Sequence, residues 1–164
     1  MKKNRDIKKE KNTVRSVQRI SNPSLHDTSW IANQYPIWIT KKFAGIINAK
    51  FDGVFLTFWF FNIKFLELKL IKDRSDKKRQ LYYITGGVLV KRVDYGWLEF
   101  RSISDNKFII VAIHEFVPKL PWMVYKYTQA LMHLLTMQMF NRYLLRLHRN
   151  IGLRQEDALR EENS

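Results

Sequence analysis

The stretch from residue 121 to residue 149 reads PWMVYKYTQALMHLLTMQMFNRYLLRLHR and contains no glycine and no proline after Pro121. A proline suits the first turn of a helix because its φ is fixed and it lacks an N–H. Gly152 follows as a plausible helix stop. At a rise of 1.5 Å per residue, about 29 residues make a rod of about 43 Å. The pattern therefore predicts one long C-terminal helix.

The polarity of this stretch changes along its length. Its first half carries an apolar face made of Met123, Tyr127, Ala130, Leu131 and Leu134. Beyond Met137 a polar strip continues in line with part of that face, and it consists of Gln138, Arg142, Arg146 and Arg149. A helix on a single flat core keeps one apolar stripe throughout. We therefore expect the helix to bend or its second half to meet different surroundings.

The chain before the helix is dominated by residues that alternate as in β-strands. We expect a first strand, two short helices broken at Tyr35-Pro36, and a meander of antiparallel strands with a bend at Gly86-Gly87. The predicted strands span residues 13–20, 54–61, 63–72, 80–93, 97–103 and 107–117, and the short helices span about 23–33 and 36–46. A curved sheet has an apolar concave face to bury, and the long helix is the element able to fill it. The prediction is an α+β fold.

Length and composition limit the classes of protein. A chain of 164 residues fits one domain, here residues 13–150, with a basic disordered tail at 1–12 and a polar acidic tail at 151–164. The chain has no cysteine, which excludes disulfides and thiolate catalysis and indicates a reducing compartment such as the cytoplasm. The apolar block Val54–Phe61 is far too short to span a membrane.

The formal net charge of +14 favours anionic partners without naming one. Six Lys/Arg residues fall within residues 1–12. This charge is compatible with simple solubility, with peripheral contact at the inner face of an anionic membrane, or with nucleic acid. Nucleic acid is disfavoured because the aromatic residues at 55–61 are contiguous and are not interleaved with Lys or Arg.

The segment IKFLELKLIKDRSDKKRQLYYITGGVLVKRVDYGWLEFRSISDNKFIIVAIHEFVPKLPW, residues 63–122, resembles the START-like helix-grip superfamily. The resemblance lies in its succession of features: a leucine-alternating strand, a charged turn, a strand ending in Gly-Gly, a Gly-Trp-Leu-Glu-Phe strand, and Pro-x-Leu-Pro before a long helix. The resemblance covers residues 13–149. The superfamily includes proteins of the polyketide-cyclase/dehydrase and coenzyme-Q-binding types. It implies a curved antiparallel sheet wrapped around the C-terminal helix, with an apolar cavity between them for a lipid, quinone or polyketide. The bulky strand VFLTFWFF departs from it.

The residues offer little catalytic chemistry. None of the four histidines pairs with another at a metal-binding spacing, so we expect no metal site, and no cofactor motif is found. His114 is a candidate general base if its strand face is concave, although a hydrogen-bonded structural histidine is the simpler interpretation. We expect the ligand pocket to be lined by Trp59, Leu68, Tyr83, Leu98, Phe100, Ala112, His114, Tyr127, Leu131 and Leu134.

Three functions follow from these patterns. The first is binding or transport of a hydrophobic small molecule between the sheet and the helix. The second is a small cyclase, dehydratase or hydrolase of the same fold that uses His114 with Tyr83 or Tyr127. The third is a basic module with a filled core that associates with a membrane or nucleic acid. A cavity above about 300 Å³ favours the first two.

Overall fold

The computed structural model describes residues 14–91, 96–119 and 122–162, with side chains described from Arg15 onwards and, in the last helix, from 134 to 155. The described residues form seven strands, two α-helices and a 3-10 turn at Lys72–Arg74. The elements are β1 (Val14–Ser21), α1 (Thr28–Lys42), β2 (Ile47–Phe51), β3 (Phe55–Phe60), β4 (Ile63–Leu70), β5 (Arg79–Gly86), β6 (Trp97–Ile103), β7 (Phe108–Phe116) and α2 (Trp122–Glu162).

The strands form one curled antiparallel sheet in the order β1-β7-β6-β5-β4-β3-β2. From β2 to β7 each strand pairs with the next along the chain, as expected for a meander, and β1 closes the far edge by pairing with β7. The sheet is a half-barrel that holds α2 at its concave side. The predicted α+β helix-grip architecture is confirmed.

Helix α1 is continuous, whereas the sequence predicted two short helices broken at Tyr35-Pro36. Pro36 lies inside the helix and is buried. It removes one backbone hydrogen bond, which normally kinks or ends a helix. Here Tyr35, Trp38 and Ile39 are all buried against the sheet and α2. Tertiary packing of this kind supplies most of a helix's stability in proteins, so it outweighs the local cost of the proline.

Helix α2 is longer than predicted. It continues through Gly152 to Glu162, so the predicted helix stop at Gly152 is wrong. Met137, Phe140 and Leu144 form a buried stripe at helical spacing, which places the second half on the main core. Beyond Leu144 the helix is largely exposed, and a mid-helix glycine there costs only about 1 kcal/mol.

Gly87 ends β5 seven residues earlier than the sequence predicted. Its φ is +116°, and an added Cβ would lie 2.3 Å from the carbonyl oxygen of Phe65. Only glycine accepts this conformation and this close backbone approach. The regular strand therefore ends here, and the backbone N–H groups of Val88 and Leu89 donate hydrogen bonds to the carbonyls of Lys64 and Phe65 at the start of β4.

The basic tail at 1–12 lies outside the described residues. The boundaries of the domain stay a prediction.

Candidate functional site

The two faces of the sheet differ in chemistry. Concave positions such as Ile109, Val111 and Phe100 are fully buried and belong to one hydrophobic core. Convex positions carry charged groups such as Arg79, Glu99 and Arg101. The concave side is therefore the apolar side of the sheet, on which an apolar ligand would be buried.

One end of the concave space is filled by aromatic side chains. The ring of Phe140 from α2 lies 5.2 Å from that of Tyr35 and 5.1 Å from that of Trp38, measured between centroids. Tyr143 extends the cluster 6.1 Å from Phe140. Rings at these separations pack as in protein interiors, so α1 and α2 close this end of the sheet.

The other end of the concave space holds a cavity of about 500 Å³. It lies within the range of small-molecule sites in proteins, about 300–1,000 Å³. Its exposed rim includes Phe60, Ile63 and Val88, and its far end meets Tyr35 and Phe100 of the filled region. The described residues that line it are Tyr35, Ile39, Ile47, Phe58, Phe60, Ile63, Phe65, Leu66, Leu68, Ile84, Val88, Leu89, Leu98, Phe100, Ile113, Phe116, Thr136 and Met137.

Among these described lining residues there is no acid, no basic residue and no histidine. The only side-chain polar atoms are the hydroxyls of Tyr35 and Thr136. Burial raises the pKa of Tyr35 well above its usual value of 10.0, so the phenol stays neutral. The wall can exclude water and surround an apolar molecule, and it offers no charged group for proton transfer.

Three of the residues that the sequence assigned to the pocket lie on this wall, and they are Leu68, Leu98 and Phe100. Leu134 is half-buried and is not among the described lining residues. The side chains of Tyr127 and Leu131 lie outside the described residues.

His114 and Ala112 project from the convex face, which corrects the strand phase assumed for β7. Ile109 and Val111 fill the concave side, and Ile113 lines the cavity. The positive φ of Glu115, 50°, then breaks the alternation and turns Phe116 back to the cavity. The sequence FIIVAIHEF is apolar at nearly every position, so alternation alone does not reveal which set faces inward.

Tyr83 and Trp59 also lie away from the cavity. Tyr83 pairs with Trp97 and accepts a hydrogen bond of 3.3 Å from Arg74, while its neighbours Tyr82 and Ile84 face the core. Trp59 follows a register shift in β3 and lines a separate shallow depression with Asn48 and Phe61. Both strands have large apolar residues on consecutive positions, which hides the phase from the sequence.

His114 belongs to an ion cluster on the convex face. Its ring stacks on Trp97 at 5.0 Å, and its Nε2 atom lies 3.8 Å from a Glu99 carboxylate oxygen. The other Glu99 oxygen accepts hydrogen bonds from Arg79 and Arg101. Burial, and then the nearby Arg15, lower the pKa of His114 below 6.5 against the opposing effect of Glu99.

Sequence reasoning missed several residues of the wall, and Tyr35 is the most informative of them. The predicted helix break at Tyr35-Pro36 removed this residue from consideration. Strand β2, which contributes Ile47, was also missed because it is only five residues long. The alternation of Ile47, Ala49 and Phe51 was the signal that could have found it.

Comparison with known proteins finds one kind of likeness in sequence and another in fold. No family model matches the chain. Auxiliary protein GraX of Staphylococcus aureus (strain NCTC 8325 / PS 47) is 24% identical over 119 residues, which are 71% of this chain and 39% of that relative. The chain thus matches about two fifths of the relative's length.

Solved structures resemble the chain in fold. The crystal structure of Ara h 8.0201 superimposes with a TM-score of 0.50 at 14% identity, over 82% of this chain and 99% of that one. The Aha1 dimer from Colwellia psychrerythraea gives a TM-score of 0.48 at 15% identity, over 75% and 92%. The chain has a helix-grip fold. At this level of identity the likeness extends to the fold alone.

The described residues contain no group of three or more His, Asp or Glu side chains arranged to hold a metal ion. No helix in the described ranges is long and apolar enough to cross a membrane.

Proposed function

We propose that this chain binds a hydrophobic small molecule in the cavity between the sheet and α2. The observation that carries the proposal is the 500 Å³ space whose described wall is apolar apart from two hydroxyls. Apolar side chains that border a space of this size lack contacts on one side unless a ligand supplies them. Because proteins normally pack their interiors densely, a persistent cavity beside a well-packed aromatic cluster favours a role in binding.

The binding would be driven by removal of apolar surface from water. The exposed residues Phe60, Ile63 and Val88 form an entrance, so a ligand has a route to the interior. Binding or carriage of a lipid, quinone or polyketide is the finer form of this proposal. Membership of the polyketide-cyclase or coenzyme-Q-binding type, and a cytoplasmic location, stay predictions.

The enzymatic alternative has less support. It relied on His114 with Tyr83 or Tyr127. His114 and Tyr83 are on the convex face, and the side chain of Tyr127 lies outside the described residues. No described residue of the cavity wall titrates near neutral pH.

Peripheral contact with an anionic membrane is a second candidate function, favoured by an exposed apolar turn at the cavity entrance. Phe60 is 48% exposed, Phe61 is 60% exposed and Ile63 is 56% exposed. Lys41, Lys42 and Lys64 are also exposed on the adjoining segments. Aromatic residues with neighbouring lysines suit an anionic bilayer surface.

The ligand proposal is tested by native mass spectrometry of freshly purified protein. We expect a co-purifying adduct that disappears on organic extraction and that is identified as a hydrophobic molecule in the extract. Protein of bare mass that also fails to bind added hydrophobic molecules would contradict the proposal.

The membrane candidate is tested by co-sedimentation with phosphatidylcholine vesicles with and without phosphatidylglycerol. Phe61→Asn removes the aromatic ring, and Asn tolerates the positive φ of 50° at this site. Leu25→Asn is a matched control, since Leu25 is 52% exposed and has a φ of 55°. Only Phe61→Asn should weaken binding to anionic vesicles, and equal binding by both variants would reject this function.

A further inference from the structure

The described cavity wall carries one buried phenol. Tyr35 lies on the cavity wall and is 7% exposed. None of the residues that the structure describes forms a hydrogen bond with its hydroxyl. Buried tyrosine hydroxyls usually find a partner, so this one is an exception that calls for an explanation.

The Tyr35 hydroxyl has open space beside it. Within the described part of the chain, Thr28 Oγ1 alone is both fully enclosed by protein atoms and without a hydrogen-bond partner. The Tyr35 oxygen also lacks a hydrogen-bond partner among the described residues, and it is not fully enclosed. Since the ring is packed against Phe100 and Phe140, the open side of the residue is the cavity.

The position and charge state of Tyr35 define what it can recognise. It marks the closed end of the cavity, where the filled aromatic cluster begins. Burial raises its pKa, so it is an uncharged donor and acceptor throughout the physiological range. Thr136, the other hydroxyl on the described wall, already has an interaction of its own.

The described wall offers no partner to a charged ligand group. It contains no lysine, arginine or histidine that could pair with a carboxylate or phosphate, and no acid that could pair with an amine. An ion that enters an apolar site without a counter-ion loses its hydration and gains little in return. A neutral carbonyl or hydroxyl oxygen loses less and is satisfied by one hydrogen bond.

We propose that the Tyr35 hydroxyl is the polar subsite of the cavity and that the ligand is an uncharged hydrophobic molecule that inserts a carbonyl or hydroxyl oxygen first. The proposal rests on the proposed ligand-binding function and adds the chemical class of the ligand and its orientation. The apolar part of the ligand would then lie between Leu66, Leu68 and Met137 towards the entrance. Specificity would come from the unpaired phenol and affinity from the apolar wall.

Three probes of nearly the same shape separate these contributions. 2-Acetylnaphthalene carries a neutral acceptor, 2-ethylnaphthalene carries none, and 2-naphthoate is anionic. Their dissociation constants are measured by calorimetry for the parent, for Tyr35→Phe and for Tyr82→Phe. Tyr82 is a matched control because it is a buried tyrosine on the concave face of the sheet and is not among the described lining residues.

We expect Tyr35→Phe to weaken binding of 2-acetylnaphthalene about fivefold and to leave 2-ethylnaphthalene within about twofold. Tyr82→Phe should preserve the parent's ratio between these two probes. The parent should bind 2-naphthoate at least about tenfold more weakly than 2-acetylnaphthalene. An unchanged ratio in Tyr35→Phe, or naphthoate binding as tight as acetylnaphthalene binding, would overturn the subsite while ligand binding itself stood. If the parent bound none of the three probes, the proposed function would fail as well.

A measurement on the parent alone keeps the proposal testable if Tyr35→Phe does not fold. The infrared carbonyl stretch of bound 2-acetylnaphthalene should lie at lower frequency than in hexane, because a hydrogen bond from the phenol weakens the carbonyl bond. A frequency equal to that in hexane would show that no donor reaches the carbonyl and would overturn the proposal.

Discussion

The concave space of this sheet is filled at one end and open at the other, although both ends are built from the same strands. At the filled end, Phe140 packs against both Tyr35 and Trp38 and is fully buried. At the open end, Leu66, Ile113 and Phe116 face a 500 Å³ cavity. The filled end is closed by the packing of Trp38 from α1 against Phe140 and Tyr143 from α2. Packing in the first region specifies the fold, and space in the second region is available for function.

The largest contrast should come from truncating one side chain in each region. Phe140→Ala removes a fully buried ring from the filled end and should cost about 3–5 kcal/mol of unfolding free energy. Leu66→Ala removes a half-buried side chain that already borders open space, so it should cost about 2 kcal/mol or less. Chemical denaturation of both variants checks this order.

Two controls make that comparison interpretable. The denaturant dependence of unfolding should be the same in both variants, since a change in slope would signal a change in the denatured state. Equal losses of stability would mean that the two ends are packed alike, and the distinction between them would fail.

A smaller contrast should come from enlarging one side chain in each region. Ile109 and Ile113 lie on the same face of β7, four residues apart, and only Ile113 lines the cavity. Ile109→Phe overpacks the filled end and should cost about 1–3 kcal/mol. Ile113→Phe has room and should stay within about 1 kcal/mol of the parent. Thermal melts measure both, and an equally large loss for Ile113→Phe would show that the cavity is not open.

Some features of this fold could be predicted from the sequence and others could not. The succession of strands and the long helix were predictable because periodicity and turn residues are local signals. The continuity of α1 through Pro36 was not predictable, since it depends on burial against partners distant in the sequence. The extension of α2 to Glu162 was missed because Gly152 was interpreted as a helix stop. An exposed helix tolerates one internal glycine at a cost of only about 1 kcal/mol.

The cavity wall was harder to predict than the fold. Leu68, Leu98 and Phe100 sit in strands with a clear alternation of apolar and polar residues, and their inward direction followed from it. In β3, β5 and β7 both faces carry bulky apolar residues, so Trp59, Tyr83, Ala112 and His114 were assigned to the wrong face. The bulge that turns Phe116 inward depends on the positive φ of Glu115, which no sequence pattern signals.

The smallest effect should be a pH dependence of the unfolding free energy that comes mainly from His114 on the convex face. Burial lowers the pKa of His114 below 6.5, so the unfolded chain takes up a proton at higher pH than the folded chain. The unfolding free energy should therefore be highest above about pH 6.5 and should fall as the pH drops below that value. His114→Gln should reduce this dependence on pH. His26, whose pKa is also lowered, should leave a residual slope.

Denaturation curves between pH 5 and 8 measure this slope. The affinity for a neutral probe should be the same in His114→Gln as in the parent, because His114 is remote from the described cavity wall. A change in probe affinity with this substitution would place the histidine in the binding site after all.

The central claim, that the open end is a ligand site, is tested most directly by titration with the neutral fluorophore N-phenyl-1-naphthylamine. The proteins to compare are the parent, Ile113→Phe on the cavity wall and Ile110→Phe on the opposite face of the same strand. The account predicts saturable one-to-one binding by the parent and by Ile110→Phe, and affinity lower by about tenfold or more in Ile113→Phe. Equal binding by all three proteins, or no saturable binding by the parent, would contradict it.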